Sequence, residues 1–272
     1  MSLQANSPQV TSKVAHTAFE EQAVSMGLDP SDLWVGGYVD YEWQRLNSIF
    51  SAYAIKPSGL KVLEFGSNVG ASSIVYASLG ATVTAVDVCT DFVKLAKLNA
   101  QQYEIANIQF HFVPDTRKLP FCDGSFDLIN CNSVLEYVDS EHLMVVQCEL
   151  DRLLRPSGKI LVTGTSSRLW PKEVHSRRWL VNYLPRWSDR LLGAPGGLQR
   201  GVTPWFVRKG FGVHYVNHDV LDKGEAYLQS RSEISPTKII YYRWVVRLAN
   251  MLGVGAGLLT NSFSCLLQKQ QS

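Results

Sequence analysis

Between Gly59 and Gly164 the chain alternates short β-branched runs with stretches of helical period, which confines this region to a parallel sheet wound with helices. The runs fall at 61–65, 82–86, 108–113, 126–131 and 159–164, and helices are expected near 70–79, 91–103 and 140–154. The last helix would carry Leu143, Val146, Leu150 and Leu154 on one face, start from Asp139 or Ser140 as a cap, and stop before the turn residues 156–158. Residues 1–57 read as mostly helical and end at Lys56-Pro57. Pro171, Pro185, Pro195 and Pro204 then break the alternation, and two final strands at 211–216 and 262–268 flank an apolar helix from about 238 to 252. The expected architecture is α/β and doubly wound, with a mainly parallel seven-stranded sheet, helices on both faces and a helical insertion after the fifth strand. Its parts are a helical segment at 1–57, a core at 58–165, the insertion at 166–210 and a completion of the sheet at 211–272.

A chain of 272 residues with 46% hydrophobic content can build a core without covalent staples. The five cysteines (Cys89, Cys122, Cys131, Cys148 and Cys265) are odd in number and share no C-x-x-C spacing, so they read as reduced, buried thiols of a cytoplasmic protein. The polar N-terminus lacks the apolar stretch of a signal peptide, and 251–260 is too short to span a membrane. A net charge of +2 decides nothing about nucleic acid, but its distribution is uneven.

Residues 62–70 read VLEFGSNVG, an apolar strand stopping in a glycine turn that opens a helix. The unpaired N–H groups and positive dipole end of that helix would point into the crevice at the carboxyl end of the first strand, as in Rossmann-like folds. Asp87 ends the next strand 21 residues after Gly66, where a carboxylate can accept hydrogen bonds from both hydroxyls of a ribose. The nicotinamide fingerprint G-x-G-x-x-G fits poorly, because position 68 is Asn and position 71 is Ala. Glu64 suits a cofactor with a cationic amino-acid end.

With these residues the chain resembles the class I S-adenosylmethionine-dependent methyltransferases, in the small-molecule branch that includes the quinone-biosynthesis enzymes. The resemblance rests on five stretches in order: 63-LEFGSNVG-70, 84-TAVDV-88, 115-DTRKLPFCDGSFDLI-129, 133-SVLEYV-138 and 151-DRLLRPSGKILV-162. It implies that Glu64, Gly66, Ser67 and Gly70 line the methionine end of S-adenosyl-L-methionine and that Asp87 with Val88 holds ribose and adenine. It further implies that Asp115 and Thr116 flank the adenine amino group, and that Asn132 and Ser133 present backbone groups. Two positions depart from the pattern: Asn68 stands for a glycine, in a residue type that tolerates left-handed backbone, and Tyr137 stands where many relatives carry histidine. A non-catalytic protein binding the same cofactor is the alternative of another class, and a nicotinamide oxidoreductase a further enzymatic one.

An activated methyl donor leaves the protein mainly to position the acceptor, with a general base where the acceptor carries a proton. His175, in the segment after the fifth strand, is the candidate base, expected neutral in an aromatic and basic setting. His111 and His142 read as structural, and His214 with His218 lacks a third ligand, so no metal site is expected. Residues 168–210 hold nine Lys or Arg (Arg168, Lys172, Arg177, Arg178, Arg186, Arg190, Arg200, Arg208 and Lys209) against Glu173 and Asp189, with four of the seven tryptophans. Leu180, Leu184, Trp187 and Leu191 recur at helical spacing, in a helix that Pro185 divides in two. The segment reads as a helical cover packed by that stripe, as a lid for an anionic or lipid-linked acceptor at a membrane surface, or, least well, as a nucleic-acid contact.

Overall fold

The computed structural model describes residues 6–194, 197–211, 214–231 and 235–270. Pro195, Gly212 and Val213 lie outside the described residues, as do the side chains of Arg208 and Lys209. The chain divides into two compact units, one of residues 1–130 with 153–155 and one of 131–152 with 156–272.

The first unit opens with α1 (Lys13–Ser25), whose first turn is capped by Ser12 Oγ accepting from the Ala15 N–H. In α2 (Tyr38–Ala52) the residues Val39, Trp43, Leu46 and Phe50 recur every three or four positions and are buried together. There follow β1 (Lys61–Phe65), α3 (Ala71–Ser78), β2 (Thr82–Asp87), α4 (Thr90–Gln102), β3 (Ile108–Phe112) and β4 (Phe126–Asn132). β1 pairs in parallel with β2, and β2 with β3, in a register that sets Phe65 opposite Val86 and Asp87 opposite Phe112. The carboxyl ends of these three strands therefore share one edge, and the residues after each strand collect there.

In the second unit, α5 (Leu143–Leu153) buries Leu143, Val146 and Leu150 as its spacing predicts. It passes directly into β5 (Leu154–Ser166), so Leu154 belongs to the strand and residues 156–158 are not a turn between separate elements. Pro156 cannot donate an N–H to a continuing helix, and Ser157 takes a left-handed φ of 62°, which lets the chain reverse into extended structure at once.

The insertion differs most from expectation. Its only helices among the described residues are α6 (Ser188–Leu191) and α7 (Pro204–Phe211). Leu180 adopts a φ of 64° and is exposed, as are Trp187 and Leu191 at 70% and 80%, so of the expected apolar stripe only Leu184 is half-buried. Polar groups organise the segment instead. The Asn182 amide donates to the Ser167 and Trp170 carbonyls and its oxygen accepts from the Gly201 N–H. The Arg200 guanidinium pairs with Asp189 at 2.7 Å and 2.9 Å and donates to the carbonyls of Leu184, Pro185 and Leu198. Those carbonyls border Pro185, which has no N–H with which to continue a helix.

The chain ends with β6 (Tyr215–Asn217), α8 (His218–Leu221), α9 (Glu225–Gln229), α10 (Pro236–Leu252) and β7 (Ser262–Lys269). β6 is shorter than expected, and α8 and α9 were not legible as helices. β7 runs antiparallel to both β5 and β6, with a register shift at Gly164, and the strand order of the seven-stranded sheet is β3-β2-β1-β4-β5-β7-β6. All five cysteines are free thiols, but Cys122 and Cys148 are exposed rather than buried, one in the turn before β4 and one on the outward face of α5. Among the described residues no helix is long and apolar enough to cross a membrane.

Candidate active site

In the first unit, β1 ends in a turn with three left-handed residues, Gly66 at φ 79°, Asn68 at 47° and Gly70 at 80°. Asn68 thus takes the conformation a glycine would supply, as its residue type allows. Gly70 suits both the left-handed φ and a tight fit, since a Cβ there would lie 3.1 Å from Ala96 Cβ and 3.2 Å from Phe110 Cζ. The Val86 carbonyl accepts the N–H groups of both Gly66 and Ser67. The Ser67 side chain remains unassigned, since among the described residues its buried Oγ has no hydrogen-bond partner.

Asp87 closes the turn. Its Oδ2 accepts the Asn68 N–H at 2.8 Å and its Oδ1 accepts the Cys89 N–H at 2.9 Å. A carboxylate has about four acceptor positions, so two remain for a diol. Val88, next along the chain, exposes its apolar side chain. Asp115 and Thr116 follow β3, where the Asp115 carboxylate takes the Arg117 N–H and pairs with the Arg117 guanidinium at 2.8 Å in an exposed turn.

Glu64 is buried in β1 with both oxygens facing the Asn130 amide, at 3.1 Å and 2.9 Å, and Asn130 in turn accepts from the Tyr76 hydroxyl. Burial pushes its pKa well above the usual carboxylate range, against the pull of the Asn130 hydrogen bond. The neighbouring buried acid, Glu42, is satisfied by Arg45, which donates to its two oxygens at 3.1 Å and 2.7 Å. Among the described residues Glu64 hydrogen-bonds to no cation, the Arg45 charge reaching it only through space, and a ligand with an ammonium group would supply one.

In the second unit, Asn132 and Ser133 end β4. Ser133 has a φ of 49°, its N–H bonds the Thr163 carbonyl, and its hydroxyl sits so close to Gly164 that a Cβ there would fall 2.1 Å from it. His175 Nε2 lies 3.0 Å from Glu136 Oε1, a residue that sequence reasoning did not single out. Glu136 Oε1 also accepts the Ser166 N–H, while its Oε2 is buried without a hydrogen-bond partner among the described residues. Glu173 stands nearby, accepting from Ser166 Oγ and the Ser176 N–H, and the Tyr137 ring lies 5.5 Å from the imidazole. The hydrogen bond to Glu136 raises the His175 pKa above its ordinary value, outweighing burial, with the charges of Glu136 and Glu173 adding to the rise. The expected neutral, basic setting is therefore corrected: carboxylates, rather than arginines, face this imidazole. In the neutral ring the Nε2–H donates to Glu136 and leaves Nδ1 as the acceptor. His218, by contrast, faces Gln268 and is lowered by burial.

A parallel sheet whose first two strands end in a glycine turn and a carboxylate defines a nucleotide-binding α/β protein. Residues 63–162 match a family described as a methyltransferase domain. A ubiquinone biosynthesis O-methyltransferase of Xanthomonas axonopodis pv. citri is 32% identical over 190 residues, covering 66% of this chain and 75% of that protein. Another from Paracidovorax citrulli is 26% identical over 174 residues, covering 58% of this chain and 72% of that protein. The crystal structure of an S-adenosylmethionine dependent methyltransferase from Mesorhizobium loti shares the fold, with a TM-score of 0.52, 17% identity and coverage of 80% of this chain and 96% of that one. Two other solved structures, from Pyrococcus horikoshii and Methanosarcina mazei, are spanned over 57% and 53% of their length. The chain belongs to the class I S-adenosylmethionine-dependent methyltransferases, with S-adenosyl-L-methionine as its cofactor. The buried Ser67 hydroxyl, without a hydrogen-bond partner among the described residues, the Glu64 carboxyl held by the Asn130 amide, and the remaining acceptor positions of Asp87 fit that cofactor.

Asp87→Ala is accordingly expected to weaken S-adenosylmethionine binding by about 1.5–3 kcal/mol, the range for hydrogen bonds involving a charged group. Calorimetric titration checks it, and an unchanged affinity in a folded variant would remove Asp87 from the cofactor site.

Proposed function

We propose that this enzyme methylates an oxygen atom of a quinone-type acceptor, anionic or lipid-linked, in the cytoplasm, with His175 as general base and Glu136 as the residue that positions it. The Glu136–His175 pair carries the reading: an oxygen acceptor has a proton to lose, and this pair is built to take one. Relatives named ubiquinone biosynthesis O-methyltransferase and demethylmenaquinone methyltransferase support the acceptor class.

When bound, S-adenosylmethionine supplies a methyl group already activated on a sulfonium. In the first unit Glu64 would hold its ammonium group, Gly66, Ser67 and Gly70 would form the turn around its methionine end, Asp87 would accept from the ribose hydroxyls, and Val88, Asp115 and Thr116 would take the adenine. In the second unit Asn132 and Ser133 would offer backbone groups. His175 Nδ1 would receive the acceptor's proton as the oxygen gains the methyl that the sulfonium gives up in becoming a neutral thioether, and Glu136 would stabilise the imidazolium that results. The exposed aromatic and basic side chains of the insertion, Trp179, Trp187 and Arg186 among them, cover the acceptor.

Transfer of a labelled methyl group to hydroxylated quinones with and without a lipid tail tests the reading. Label in a methoxy group is expected, with the tailed acceptor turned over at lower concentration. Label found on carbon, or transfer to none of these acceptors, would contradict it.

A further inference from the structure

α10 has two apolar faces and the fold uses only one. Val246 and Ala249 are buried with Tyr227 and Ala256, and Tyr242 packs against them. On the opposite side Ile240, Tyr241, Trp244, Leu248, Met251 and Leu252 are all exposed, Trp244 by 63% and Met251 by 84%. At about 100° per residue these six side chains fall within roughly 120° of one another, along a helix roughly 25 Å long. Arg247 and Arg243 border that arc on one side and Lys238 on the other, and the helix contains no Asp or Glu. The Arg247 guanidinium lies 5.2 Å from the centre of the Trp244 ring, so cation and aromatic form one surface.

We propose that this face of α10 docks the enzyme on an anionic lipid surface, lying in the interface with Trp244, Leu248 and Met251 among the acyl chains and the three cations at the headgroups. An exposed apolar arc edged by basic residues is the composition of an interfacial helix. A second copy suits the face less well, because a two-fold contact sets a patch against itself and would bring Arg243 and Arg247 near their own copies, with no acid on α10 to offset them. The proposal rests on α10 alone and is independent of which acceptor is methylated.

Vesicle co-sedimentation of the full chain tests it, using equimolar phosphatidylcholine and phosphatidylglycerol against phosphatidylcholine alone. Binding to the mixed vesicles is expected, fading as salt rises. The pair Arg243→Gln and Arg247→Gln should weaken it by about 30-fold, from roughly one unit of lipid attraction per cation. Trp244→Glu with Leu248→Glu, both at exposed positions, should abolish it while circular dichroism and cofactor affinity stay unchanged. Absence of vesicle binding overturns the proposal, as does binding that survives both pairs of substitutions, which would place the contact elsewhere. A concentration-dependent dimer that Trp244→Glu disperses, with no vesicle binding, overturns it in favour of self-association.

Discussion

Replacing His175 by Gln is expected to lower turnover of an oxygen acceptor by about 10²- to 10⁴-fold, the usual contribution of a positioned general base. S-adenosylmethionine affinity should barely change, since the proposed role of the histidine is toward the acceptor. Steady-state kinetics beside calorimetric titration separates the two effects. A variant that keeps most of its turnover would show that methyl transfer relies on positioning alone, and His175 would then serve the structure through Glu136.

Glu64→Gln is expected to move cofactor affinity and stability in opposite directions. Removing the charge that faces the cofactor's ammonium group should cost about 2–5 kcal/mol of binding, roughly 30- to 5,000-fold in Kd. The cofactor-free protein should become more stable at neutral pH. Burial raises the Glu64 pKa in the fold, so the native state favours the neutral acid. Its contribution to stability is complete below the unfolded carboxyl pKa, about 4.3, and is lost as pH rises through the folded value. Glutamine removes that loss. Thermal unfolding should therefore show a higher midpoint than the parent at neutral pH and a converging one near pH 4. Loss of stability at neutral pH would mean that Glu64 is charged and satisfied without a ligand.

The turn after β1 and the acid that ends β2 were legible because these residues are close in sequence and punctuated by strong local rules. A β-branched run, a glycine turn and an acid at the next strand end determine geometry within a few residues, and Asn68 even took the left-handed conformation its chemistry permits. The acceptor half was not legible in the same way. His175 was visible as an isolated histidine, but its partner Glu136 lies 39 positions away and reads, in S-V-L-E-Y-V, as one acid in an apolar stretch. Only the fold supplies the carboxylates that reverse the expected electrostatics of the imidazole. The insertion misled for a related reason. Leu180, Leu184, Trp187 and Leu191 keep helical spacing, yet Pro185 removes a donor and the buried Arg200–Asp189 pair holds the chain in turns. In α10 the helix was legible, but a sequence apolar on both sides conceals which face the core takes.

The pH dependence of kcat/KM, for the parent and for Glu136→Gln, tests the assigned chemistry most directly. With His175 as the proposed base, methyl transfer requires its neutral form, so the rate should rise with pH through an ionisation above the ordinary imidazole value, because the hydrogen bond to Glu136 raises it. Removing the Glu136 charge should move that limb to lower pH and lower the plateau, since the imidazolium loses its partner. A rate independent of pH in this range, or a limb that Glu136→Gln leaves in place, would contradict the role of His175 as the base.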